Sequence, residues 1–202
     1  MKNILFIYLR FLVSFIWYNP IWEKIMKYIK KLTDEDFDLK VKEFNNPRYR
    51  RGARGVILNG KNEIAILNKA NKNEYKLIGG GIEENEEPTK AFKREALEES
   101  GCKVEIDDFL GIIREEKSQD NFIQDSNVYL AHVIEDTNKL DLTAKEKEEG
   151  ARLVWLNLDD AMKLIKDSEK NIVASKYENV YHTKFIVRRD YAILKYYKRY
   201  YL

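Results

Sequence analysis

The stretch that most constrains this chain runs from Gly79 to Cys102, GGGIEENEEPTKAFKREALEESGC. It joins a glycine-rich turn to a short helix whose carboxylates stand where a helix least favours them. Pro88 suits the first helical turn, where its missing N–H costs no hydrogen bond. Gly101 suits the left-handed position just past the helix end. Between them Ala91, Phe92 and Ala96 form one narrow apolar stripe that can face a core. Glu95, Glu98 and Glu99 stand at i, i+3 and i+4 and share another face. Glu95 and Glu99 repel across one turn by about 0.2–0.5 kcal/mol. Glu98 and Glu99 also lie in the last turn, where the helix dipole favours cations. Arg94 offsets part of this by pairing with Glu98 one turn on. A solvated acidic face would need no run of glycines before it and would place lysines in the last turn. A hard divalent cation accounts for the pattern better. Mg²⁺ takes one or two carboxylates, keeps several waters and bridges to substrate phosphate oxygens.

The spacing narrows this further. Gly80, five residues, Glu86, seven residues, Arg94-Glu95-Ala96, one residue, Glu98-Glu99, one residue and Gly101-Cys102 fill every fixed position of a known pattern. The stretch resembles the Nudix box, G-x5-E-x7-R-E-U-x-E-E-x-G-U, where U is apolar and usually bulky. Gly79 completes the double glycine common in that family. Ala96 and Cys102 are small for their U positions. Asn85 stands where a glycine is common, and Asn tolerates the same left-handed backbone.

The resemblance implies an α+β Nudix fold, a mixed β-sheet between helices with the box as loop–helix–loop. It also implies hydrolysis of a nucleoside diphosphate linked to another moiety, with Mg²⁺, or Mn²⁺, as the metal. Carried over residue by residue, Glu98 and Glu99 are metal ligands, and Glu95 is a ligand or the water-activating base. The carbonyl of Gly80 or Gly79 adds an oxygen ligand, while Glu86 and Arg94 hold loop and helix in register and Gly101 ends the helix. Many members of the family bring a further glutamate from a distant loop. The Leu142–Gly150 stretch, LTAKEKEEG, offers Glu146, Glu148 and Glu149, against the plainer reading of a charged surface loop. Arg48, Arg50, Arg51 and Arg54 precede the first clear strand, in the region that helps line the family's substrate pocket. One of them, Arg54 included, is a candidate contact for substrate phosphate; a solvated basic edge is the alternative.

Substrate class is approached through absences. The proline that ADP-ribose-cleaving members tend to carry past the box is replaced by Lys117-Ser118-Gln119, and a tyrosine favoured by dinucleoside-polyphosphate cleavers is missing. The chain's single cysteine excludes the four-cysteine zinc site of NADH-cleaving members and any internal disulfide. What is left resembles the nucleoside-triphosphate pyrophosphatases, including those acting on oxidised nucleotides. Two rivals remain: a nucleotide-sensing Nudix domain without catalysis, and a membrane-attached hydrolase of a lipid-linked diphosphate.

Around the box the chain reads as two parts. Residues 47–202 are expected to form the hydrolase domain, and residues 1–46 an appended hydrophobic helix with a charged tether. Ile4 to Trp22 is almost wholly apolar and aromatic, close to the ~20 residues a spanning helix needs, but Arg10 interrupts it at about +3 kcal/mol. It is read as a membrane element, spanning or interfacial, against the alternative of a helix packed on the domain. Lys24, Lys27, Lys30 and Lys31 after it favour a cytoplasmic face. A chain beginning near Asn45 is then expected to stay folded. A formal net charge of +2 predicts no general affinity for nucleic acid.

Strands are expected over Gly55–Leu58 and Glu63–Leu67 around Asn59-Gly60, over Tyr75–Ile78, and after the box over 103–106, 109–116, 127–134 and 152–156. Asn68 to Glu74 reads as a polar loop. Leu158–Ile165 reads as an amphipathic helix capped by Asn157. The basic, aromatic C-terminus has apolar spacings suited to a docked helix, with Phe185, Val187, Tyr191, Leu194, Tyr197 and Tyr201 inward.

Overall fold

A computed structural model describes residues 27–202. The apolar stretch Ile4–Trp22 lies outside the described residues. Among those described, no helix is long and apolar enough to cross a membrane.

The strands are β1 (Tyr28–Thr33), β2 (Arg48–Leu58), β3 (Ile64–Lys69), β4 (Glu74–Leu77), β5 (Gly79–Gly81), β6 (Cys102–Lys117), β7 (Phe122–Asp136) and β8 (Ala151–Leu156). The helices are α1 (Pro88–Ser100), α2 (Ala144–Glu148), α3 (Leu158–Ser168) and α4 (Val180–Tyr200). The strands form one mixed sheet in the order β1-β6-β7-β2-β3-β4, with β5 on β2 and β8 on β3. β1 runs parallel to β6 and β2 parallel to β7, while the remaining pairs are antiparallel.

Alternation along the strands explains why both faces are covered. Ala53 and Ile57 of β2, Ala65 and Leu67 of β3, and Tyr129 and Ala131 of β7 pack with Ala91, Phe92 and Ala96 of α1. Their neighbours Val56, Ile64, Ile66 and Val128 face the other way, onto Ala161 and Ile165 of α3 and Val187, Ile193 and Leu194 of α4. Strands buried on both faces read as continuous apolar runs rather than alternating ones, as these do. The fold expected from the box is the one observed.

Several expected boundaries move. The two strands anticipated over 103–116 are one long strand, β6, bent by irregularities near Lys103, Ile106 and Phe109. Bulges of this kind break the sequence alternation without ending a strand. Asn68–Glu74, expected as a polar loop, is largely interior: Asn68, Lys69, Lys72 and Glu74 are all buried. Lys72 Nζ lies 2.7 Å from Glu74 Oε2 and 2.6 Å from Glu178 Oε2, and donates to Thr183 Oγ1 at 3.0 Å. Burial of charge is tolerated there because Lys72 is paired with carboxylates on both sides.

The boundary expected at residue 46 also falls elsewhere than the edge of the sheet. β1 belongs to the sheet through its ladder with β6, and Leu32 is fully buried. Just after it, Asp34 accepts hydrogen bonds from the Ser118 N–H at 2.9 Å, from the Ser118 hydroxyl and from Tyr181 Oη at 2.7 Å. A charged stretch read as a tether thus holds an edge strand and a buried carboxylate, which only distant partners on β6 and α4 make favourable. A chain beginning at Asn45 should therefore lose about 3 kcal/mol or more of stability relative to one beginning at Lys27, from the lost Leu32 burial and the Asp34 bonds. Removing β1 also bares the edge of β6 to aggregation. Urea unfolding midpoints of the two chains test this; equal midpoints would show that β1 contributes nothing.

Candidate active site

The box begins with β5, whose Gly79, Gly80 and Gly81 pair with Arg54, Ala53 and Gly52 of β2. Gly79 has φ +137°, and a Cβ there would collide with the backbone of Ala53 and Arg54. A Cβ on Gly80 would collide with the Glu95 carboxylate. The glycines therefore let the backbone pass between β2 and the acidic helix at a separation no side chain permits. Asn85 takes φ 61°, so the residue in the glycine-favouring position does adopt the left-handed backbone. α1 starts with Pro88 in its first turn and ends at Gly101, φ 68°, whose N–H donates to Leu97 O.

Arg94 organises the acidic face. Its Nε and Nη2 donate to the two oxygens of Glu86 at 3.0 Å each, and Nη2 also donates to Gly81 O at 3.0 Å. Nη1 donates to Glu95 Oε1 at 3.0 Å and to Glu98 Oε2 at 3.1 Å. One planar guanidinium thus ties the loop (Gly81, Glu86) to the helix (Glu95, Glu98). Its hydrogen bond to Glu86 holds that carboxyl below the usual range. Burial raises Glu98, with Arg94 opposing.

Glu99 differs from its neighbours. It is 2% exposed, accepts from Lys76 Nζ through Oε1 at 2.7 Å and from the Gly79 N–H through Oε2 at 2.8 Å. Burial pushes it up to about 7 against the pull of Lys76. Lys76 also donates to Gly79 O at 3.1 Å.

The three loop glutamates separate. Glu146, in α2, comes to the box: Lys76 and Glu99 are among the groups acting on it, and it acts on Glu99. Burial alone would raise its carboxyl, but hydrogen bonds from the Thr143 backbone and hydroxyl outweigh that and hold it low. Glu148 is turned to solvent with Lys176 and Tyr177. Glu149 is buried elsewhere, with Lys69 at 2.9 Å and Ser175 at 2.6 Å. Arg54 is placed on the opposite face of the sheet from α1, buried among Arg189, Asp190 and Glu115. Burial and the Arg189 charge lower it to about 10. It serves the interior beneath α4; Arg50, on the same face of β2 but exposed, lies across Gly81, where a Cβ would meet its guanidinium.

Among the described residues, no three His, Cys, Asp or Glu side chains converge as a ready-made metal centre. Arg94 stands between Glu95 and Glu98, and Lys76 occupies Glu99. Yet the cations bonded to or acting on Glu86, Glu95, Glu98, Glu99 and Glu146 are Arg94 and Lys76, two charges among five carboxylates. That excess of hard oxygen donors, beside the glycine carbonyls of β5, fits a hard divalent cation and suits no soft one. Lys76 was not singled out from sequence. The available sign was a lysine in an apolar strand directly ahead of the glycines.

A family profile described as the NUDIX domain matches residues 48–176. The chain belongs to the Nudix family. It is accordingly a hydrolase acting on a pyrophosphate linkage. Among solved structures, a NUDIX hydrolase from Nitrosomonas europaea is similar in fold, with a TM-score of 0.50 and 15% identity over 71% of this chain and 93% of that one. A MutT protein from Methanosarcina mazei Go1 is 19% identical over 72% of this chain and 96% of its own, at a TM-score of 0.46. A MutT NUDIX hydrolase from Burkholderia pseudomallei is 17% identical over 70% and 98%, also at 0.46. No curated protein matches the chain.

Because the Arg94 fork joins two segments, Arg94→Lys should cost this Nudix domain about 1–3 kcal/mol, a lysine being unable to bridge Glu86 in two places and still reach Gly81 O. Thermal unfolding measures the loss. An unchanged midpoint would mean that the loop holds its register without the fork.

Proposed function

We propose that this hydrolase cleaves a nucleoside diphosphate linked to another moiety, most simply a nucleoside triphosphate, including oxidised forms, from which pyrophosphate would leave. The observation carrying this reading is the surplus of carboxylates packed against a glycine backbone at the end of α1. Glu95, Glu98 and Glu99, with a carbonyl of Gly79 or Gly80, would hold Mg²⁺ or Mn²⁺. Bound there, the metal would neutralise charge on the phosphates and make water a better nucleophile.

The chain's own residues supply the rest. Arg94 keeps Glu95 and Glu98 one helical turn apart and joined to the β5 loop, so that the ligands are pre-positioned. Glu95, pressed on Gly80, and Glu146, brought in by α2, are the carboxylates available to take a proton from water. Arg50, exposed beside Gly81, would be the arginine to meet substrate phosphate, the role offered to Arg54 from sequence. A purely nucleotide-sensing domain has no use for the repulsion that these glutamates impose on the helix.

Attachment to a membrane through Ile4–Trp22, with the domain on the cytoplasmic side, remains part of this proposal on sequence grounds alone. A panel of nucleoside triphosphates, ADP-ribose, dinucleotides and lipid diphosphates, each with and without Mg²⁺, separates the readings.

Glu98→Gln keeps shape and removes one ligand charge. Turnover on the preferred substrate should fall by about 10²-fold or more, on the scale of losing one group that stabilises transition-state charge. The thermal midpoint should hold or rise slightly, since last-turn repulsion is relieved. Wild-type turnover in that variant would remove Glu98 from the ligand set.

A further inference from the structure

Lys76 lies outside the box, yet its ammonium reaches into the box. It comes from β4, the strand that feeds the glycine turn, and its side chain is 9% exposed. Nζ is 2.7 Å from Glu99 Oε1 and 3.1 Å from Gly79 O, and the Gly79 N–H closes the ring on Glu99 Oε2 at 2.8 Å. A carboxylate from the last turn of the acidic helix and a carbonyl from the glycine turn are the kind of hard-oxygen pair that a divalent ion seeks. Here an ammonium already bridges them. Arg94 does nothing comparable at Glu99, since its contacts are with Glu86, Gly81, Glu95 and Glu98.

The position of Lys76 is also rigidly set. The backbone N–H of the next residue, Leu77, donates to Asp190 Oδ2 of α4 at 2.9 Å, and Asp190 is itself held by Arg189 Nε at 2.7 Å. Lys76 pairs across the sheet with Leu67 of β3. Its backbone is therefore fixed from both sides, and burial of the side chain holds the flexible stem against the box. A lysine is a compact point charge with three donors, and the Gly79 carbonyl and Glu99 carboxylate engage two of them.

We propose that Lys76 is a tethered cation holding one cation position of the box, between Glu99 and the Gly79 carbonyl, so that the resting protein binds one divalent ion fewer than its carboxylates would otherwise recruit. This rests on the assignment of the box glutamates as metal ligands and narrows it: Glu99 Oε1 and the Gly79 carbonyl face Lys76, leaving Glu95, Glu98 and the Gly80 carbonyl to the divalent ion. Lys76 is a positioning residue in this scheme: it keeps Glu99 and the glycine turn together before any ion arrives and leaves Glu95 and Glu98 as the divalent side of the site. An ammonium and a divalent ion cannot both sit between the same two oxygens, because each repels the other and metal–oxygen distances of about 2.1 Å leave no room for a hydrogen bond.

The test is the number of Mn²⁺ ions bound by the full chain, counted by electron paramagnetic resonance of free Mn²⁺ and by calorimetry. Lys76→Met keeps the stem and removes the charge; Lys76→Arg keeps the charge. Lys76→Met should bind one Mn²⁺ more per chain than the wild type, and Lys76→Arg the wild-type number. A structural ion pair alone would move the thermal midpoint without changing the count. Wild-type binding of Mn²⁺ with an unchanged count and an affinity within twofold in Lys76→Met overturns the role of Lys76 while leaving the metal ligands in place. Failure of the wild type to bind Mn²⁺ at all overturns the ligand assignment and this proposal with it. If Lys76→Met is unfolded without metal, recovery of its fold by Mn²⁺ supports the tethered-cation role, and failure to recover at saturating Mn²⁺ overturns it.

Discussion

Repulsion among carboxylates at the C-terminal end of α1 is the constraint around which the rest of the molecule is arranged. A helix end with Glu95, Glu98 and Glu99 opposes its own dipole, so cations must come from outside that turn. Arg94 meets the exposed half by binding Glu95 and Glu98 while gripping Glu86 and Gly81 of the loop. Lys76 meets the buried half at Glu99. Two different cations suit the two environments. The planar guanidinium can fork between several oxygens at a partly exposed place, and the single ammonium fits a tight buried one.

The site is held up from the far side of the sheet. Asp190 of α4 accepts from the Leu77 N–H, and Arg189 bonds both Asp190 and Glu115, which Lys117 also neutralises. Breaking one partner of such a buried set costs about 3–5 kcal/mol, whereas an apolar replacement of the whole is often neutral. The value of this network therefore lies in where it puts β4. It fixes the strand that delivers Lys76 and the glycine turn to the end of α1, so the C-terminal helix contributes to the site without touching it.

A similar economy governs the N-terminal side of the fold. β1 adds an edge strand to β6, and Asp34 behind it is accommodated only because Ser118 and Tyr181 donate to it. The same charged residues that suggest a solvated tether in one dimension become interior once partners from two other elements close on them. Lys72 with Glu74 and Glu178 repeats the pattern.

What the sequence determined by itself was whatever depends on near neighbours. Pro88 and Gly101 bracket a helix through local backbone preferences, Ala91, Phe92 and Ala96 choose its buried face, and the interval from Gly80 to Cys102 names the family. Alternating burial of β2, β3 and β7 follows from runs apolar enough for both faces. Tertiary structure alone decided which distant charges meet. Glu146, Glu148 and Glu149 are equivalent in a linear reading, yet the turn of α2 sends Glu146 to Glu99, Glu148 to solvent and Glu149 to Lys69. Arg54 and Arg50 have the same chemistry and the same face of β2, but the interior beneath α4 buries the first and leaves the second exposed beside Gly81. Lys76 shows the same limit, since an ammonium has no partner preference that sequence can express. Its meeting with Glu99, 23 residues on, is set by how β4 is pinned and where α1 ends.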